Sequence, residues 1–198
     1  MLPRRVAVAR LFSTEREAAI LRETQLASIA VSSLLSAMGS RTPATDVEAY
    51  AQSASEKLKS VNDQMVACRV RPSALGGMTR ATFSIAGVAL AAVPPRIRNA
   101  CLGGVYEALG SMHTEHLREL LEGASDGDGE KQLRDLTKQL RDAHPGAPEG
   151  SPPSAKATEL LLRALVNKGE PVKIDAATVA AASAGELLTV LIRACRSV

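Results

Sequence analysis

The segment HTEH sets His113 and His116 three residues apart, so on a helix both imidazoles fall on one face. With Glu107 or Glu119 such a pair could reach a metal ion, but two ligands do not make a site, and the spacing reads as a surface histidine pair. Cys68, Cys101 and Cys195 form an odd set with no C-x-x-C, which supports neither a zinc knuckle nor a disulfide framework. No Ser/His/Asp or Cys/His arrangement and no glycine-rich phosphate loop emerges from the spacing. The remaining chemistry is cationic. Arg69, Arg71, Arg80, Arg96 and Arg98 bracket the apolar run MTRATFSIAGVALAAV, in which Phe83, Ile85, Val88 and Leu90 are the expected apolar contacts. Basic residues around an apolar helix suit acidic phospholipid head groups, an acidic partner surface or RNA. With aromatics at only 2%, base stacking is the poorer fit, and nucleic acid is expected only through a ribosomal assembly.

Helices must position these groups. The 198 residues suffice for one domain with its own core, and 45% of them are apolar while Trp is absent, so that core is built from Ala, Leu, Val, Ile and Met. Such residues let helix axes approach closely, and the fold class read from them is all-α. A first helix follows from Ile20, Ala27, Val31, Leu34 and Met38, with Gly39 as its stop. Thr45 and Glu48 form a capping-box pattern that opens a second helix on the stripe Val47, Tyr50, Ala54, Leu58, Val61 and Met65. Pro72 disfavours helix at Arg71 and is expected to end it.

Gly76 and Gly77 precede a third helix, very apolar and facing a membrane or partner, stopped by Pro94 and Pro95. Cys101, Val105, Leu109, Met112, His116 and Leu120 mark the fourth. Leu133, Leu136, Leu140 and Ala143 mark a narrow seam on a charged fifth, ended by Pro145. PGAPEGSPPS, covering 145–154, is a loop, KATELLLRALVNKG a sixth helix, and the segment from Asp175 a last helix with Gly185 as its weak point. The longest nearly apolar run, Ala81–Val93, is too short to span a bilayer.

The N-terminal segment 1–13 holds Arg4, Arg5 and Arg10 and no acid, within a net charge of +3. It reads as a mitochondrial presequence or as a basic tail. Reduced thiols agree with a matrix location, and the third helix would place the protein against the inner membrane.

Three stretches carry a family resemblance: NDQMVACRVRP, ACLGGVYEALGSMHTEHLREL and LLTVLIRACRSV. In order and spacing they resemble the demethoxyubiquinone hydroxylases of ubiquinone biosynthesis, a ferritin-like di-iron family, from about Arg22 onward. The resemblance implies a ferritin-like helical bundle over 14–198, with 169–186 as a C-terminal insertion. It also implies two irons held by a Glu from each of two helices and a Glu-x-x-His from each of two others. Aligned on MVACRVRP, the first Glu-x-x-His falls on Ala54 and Lys57, the first single Glu on Thr24 beside Glu23, and the matching Glu of the fourth helix on Tyr106 beside Glu107. The second Glu-x-x-His should follow QLRD, where Pro145 breaks the helix. No Glu-x-x-His occurs anywhere, since Gly110, His113 and Arg141 stand three before the histidines.

Lys57 either sets a positive charge where two cations would bind or snorkels to solvent. The resemblance thus implies a degenerate member without catalytic residues, metal or other cofactor. Its expected role is a structural or accessory subunit of a large mitochondrial assembly: a respiratory complex, the ATP synthase or the mitoribosome. The alternatives are a module that binds inner-membrane lipid or quinone without transforming it, and an active hydroxylase with unusual ligands.

Overall fold

The computed structural model of the chain describes residues 15–41, 45–122, 128–143 and 176–196. Its first helix, α1 (Glu15–Gly39), buries Ile20, Leu21, Leu26, Ile29 and Leu35 on several sides, as a helix surrounded by others must. Glu15 and Glu17 in its first turn complement the positive end of the helix dipole. Around it stand α2 (Thr45–Ala67), α3 (Gly76–Ala91), α4 (Pro95–Glu122), α5 (Asp128–Asp142) and α6 (Ala176–Arg196). The protein is an all-α helical bundle, and the described residues contain no strand.

The helices form two groups of three. In the first, α2 and α3 both pack on α1; in the second, α5 and α6 both pack on α4. The groups meet through α1 against α6 and α4, and through α2 against α5. One core joins Ala30, Leu34 and Met38 of α1 to Phe83 of α3, Val105 and Leu109 of α4, and Leu188 and Ile192 of α6. A second, at the other end, joins Ile20 and Leu21 to Val61, Met65, Leu120, Leu133 and Leu140.

Two glycines set the closest approaches. A Cβ on Gly87 of α3 would lie 2.3 Å from the Leu34 carbonyl oxygen of α1, and one on Gly104 of α4 would lie 2.1 Å from the Ala181 carbonyl oxygen of α6. At both crossings backbone touches backbone, so only a residue without a side chain fits. Beside Gly104, Ala100 packs on Ala177, Ala181 and Ala182, all buried.

The stop of α2 differs from expectation. The Val70 N–H donates to the Met65 carbonyl at 2.8 Å and the Arg69 N–H to the Val66 carbonyl at 3.1 Å. These are the paired bonds of a Schellman motif, with Arg69 at φ 55 in the position usually held by glycine. The helix therefore ends at Ala67, before Pro72 can act. Gln25 of α1 holds the following loop: its Nε2 donates to Asn62 Oδ1 at 2.8 Å, and its Oε1 accepts from the Ser73 N–H at 3.2 Å.

Two further expectations change. Tyr50 sits on the α2 stripe but is exposed, and Ala143 lies past the end of α5 and is exposed. By length and composition, Ala176–Ala194 of α6 could cross a bilayer, with 19 residues and mean hydropathy 1.4. Gly185 and Glu186 interrupt this run, so it does not stand out as one apolar stretch in the sequence. Its inner face, Ala181, Leu188 and Ile192, is buried in the bundle, and the helix continues through Gly185 without a break. Residues 176–186, read as part of an insertion, form the first half of α6. The segment 1–13, the loop 145–154 and the expected sixth helix lie outside the described residues.

Candidate functional site

Three of the four positions that the family resemblance assigns to ligands come together. Ala54 and Lys57 on α2 and Tyr106 on α4 line one cavity, together with Val31 of α1 and Leu109 and His113 of α4. Its volume is about 30 Å³, space for one or two waters. Ala54 offers no donor atom. Lys57 sends its Nζ to the Ala143 carbonyl at 2.7 Å, bonding a carbonyl at the C-terminal end of α5, where a cation also meets the negative end of the helix dipole. Partial burial pulls its ammonium below the usual lysine range. The side chain therefore neither fills the cavity with charge nor reaches freely into water. Tyr106 keeps its phenol proton: burial, reinforced by Tyr50, pushes its pKa up to about 12. An uncharged methyl, an ammonium and a protonated phenol do not fit a di-iron centre, which needs anionic oxygen and neutral imidazole ligands.

Thr24, the fourth position, is elsewhere. Its hydroxyl donates to the Ile20 carbonyl at 2.8 Å, and the oxygen lies 3.5 Å from His116 Nδ1. Next to it, Glu23 Oε2 accepts from His116 Nε2 at 2.8 Å, with the two side chains 2% and 1% exposed. The expectation of a surface histidine pair is therefore overturned. His113 and His116 continue the inward stripe of α4 from Leu109 to Leu120, both are buried, and their rings meet edge to face at 6.2 Å. Burial of His116 is tolerated because Glu23 satisfies it across the bundle.

No local signal joins residues 93 positions apart; only the burial of α1 on several sides, a property of the fold, makes a partner for the Glu23 carboxylate necessary. Among the described residues, no three His, Cys, Asp or Glu side chains are grouped to hold a metal.

The Glu23–His116 pair lines a cleft of about 420 Å³ between α4 and α6, with Ser111, Glu115, Thr189 and Arg193 around it. In the fold Glu23, His116 and Thr24 contact one another in the order of a nucleophilic triad, but Thr24 is 2% exposed and its proton is committed to the Ile20 carbonyl. A hydroxyl that no substrate can reach does not act as a nucleophile. The pair is a polar stitch between α1 and α4.

The expected contact residues split. Ile85 and Val88 of α3 are 72% and 41% exposed, and Met78 joins them at 59%. Phe83, expected to contact lipid or partner, is a correction: it is 3% exposed in the core, on the side of α3 that meets α1, while Leu90 is half-buried and packs against the same core. Arg69, Arg71, Arg80 and Arg96 are exposed, and Arg98 is half-buried.

Fold and interior together define an all-α bundle with an inward polar pair and an outward apolar helix. No family model matches the chain, and no curated protein matches it either.

Proposed function

We propose that this chain is a non-catalytic, ferritin-like relative of the di-iron quinone hydroxylases, serving as a structural or accessory subunit of a large mitochondrial assembly, at the matrix side of the inner membrane. The observation that carries this reading is the cavity bounded by Ala54, Lys57 and Tyr106, where the family places ligands. Its three side chains hold no charge that would bind a cation, and Lys57 is tied to the end of α5. Loss of inward carboxylates also supports the reading energetically, because like charges buried together need a metal to hold them.

Quinone binding without catalysis is less well supported. Ligand pockets run to about 300–1,000 Å³, an order of magnitude above the 30 Å³ found here. The larger cleft is lined by Glu23, Glu115 and Arg193, charged groups unsuited to an isoprenoid tail.

The test is depletion of the chain in the cells that make it, followed by quinone profiling and native electrophoresis. Unchanged hydroxylation of the quinone precursor with loss of one large mitochondrial assembly is the expected result. Accumulation of the unhydroxylated precursor would overturn the reading.

A further inference from the structure

The outer face of α3 has a pattern that the bundle does not use. Met78, Ala81, Ile85, Val88 and Ala92 recur at alternating spacings of three and four, and all are exposed. That is the spacing of a seam between two helices, running about 21 Å along the axis. The seam carries no charged residue, and its neighbours are small: Thr82 and Ala89 beside it, and Gly77 at its start, where an added Cβ would meet nothing. Small residues around a few larger knobs let a second helix axis come close.

Charge narrows the identity of that helix. From Gln64 to Tyr106 the chain has no Asp, Glu or Lys, but it has five arginines. Arg69, Arg71 and Arg80 stand before or at the start of α3, and Arg96 and Arg98 follow its end. The chain is therefore basic both before and after α3. Two copies of α3 paired in either direction would set arginine against arginine, which disfavours self-association through this face. A bilayer would accept the arginines, but helices that lie in the interface carry Trp, Phe or Leu on the buried side. This seam has none of them.

We infer that the outer face of α3 docks one helix of a different protein, apolar along its contact stripe and carrying Asp or Glu at both flanks. The inference rests on the accessory-subunit reading and names the surface that such a subunit would use.

The test uses the full chain, tagged and expressed in its own cells, as wild type, Ile85→Glu, Val88→Lys and the α6 control Val190→Glu. Melting of each purified variant establishes folding, and all three should stay within about 2 °C of wild type, because exposed sites tolerate substitution. Native particle size is then compared, and a photo-crosslinker replacing Ile85 identifies the neighbour by mass spectrometry. The expected result is wild type and Val190→Glu in a large particle, Ile85→Glu and Val88→Lys depleted from it by about tenfold or more, and crosslinks to an acid-flanked helical peptide.

Retention of both α3 variants in the particle overturns the inference while leaving the accessory reading intact. So do crosslinks to a second copy of this chain, or flotation with phosphatidylglycerol–phosphatidylcholine vesicles that Ile85→Glu abolishes. A wild-type chain that runs as a small free particle defeats the accessory reading itself, and the docking inference with it.

Discussion

α3 and α6 occupy equivalent places and meet different fates. Each is the third helix of its group, each lies on the long first helix of that group, and each crosses it where a glycine lets backbones touch. By composition α6 is the better candidate to leave water altogether. Yet α6 gives Leu188 and Ile192 to the main core, and its outer residues Val179, Leu187 and Val190 are interrupted by exposed Glu186 and Arg193. Among the buried side chains of the main core, α3 contributes Phe83, and its outer seam is uninterrupted. Apolar content is thus a poor measure of available apolar surface: in α6 much of it goes into folding, and in α3 much of it remains outside.

The comparison is sharpest at the two glycine crossings. Gly104→Ala should cost about 3 kcal/mol and lower the whole urea transition, because the new methyl meets the Ala181 backbone and α6 cannot retreat without opening the core. Gly87→Ala should cost about 2 kcal/mol, with amide exchange rising first in α3, since that helix can lift from α1 more locally. Equal, global effects from both substitutions would erase the distinction between the two helices.

Within α3 the two faces should separate just as clearly. Phe83→Ala should destabilise by about 3 kcal/mol in chemical denaturation, whereas Ile85→Ala should change stability by less than about 0.5 kcal/mol. A large loss at Ile85 would show that its face is already covered within the chain. Arg69→Gly, at the left-handed position that leads into α3, should raise stability by up to about 1 kcal/mol, read as a higher denaturation midpoint.

The smallest effect belongs to Lys57. Its folded-state pKa is lowered, so the native state holds this proton less tightly than the unfolded chain does. The desolvation penalty is full below the folded value and relieved as pH rises through the window up to the ordinary 10.5. Lys57→Met should therefore gain slightly in stability at neutral pH, less the lost bond to Ala143, and the gain should shrink in melts run toward pH 10.5. A gain that grows with pH would reverse the assignment.

Helix spacing made the architecture legible: the stripes at Ile20 to Met38 and Cys101 to Leu120 lie where periodicity put them, because burial on one helix face leaves a local record. Contacts made between distant segments leave no such record. Glu23 and His116 pair across the bundle, whereas the spacing of His113 and His116 alone reads as a surface pair. The stop of α2 is not legible either, because αL geometry at an arginine has no compositional signature and Pro72 is the nearest visible breaker. The family resemblance alone puts Ala54, Lys57 and Tyr106 at one site; the fold brings these three to one cavity, while Thr24 sits with His116.

The most direct test of the proposed non-catalytic role is isolation of the native protein in mild detergent from the cells that make it, with its particle size and bound iron measured together. The account predicts a large particle in which this chain carries no iron. A small particle with two irons per chain would contradict it and restore the enzyme.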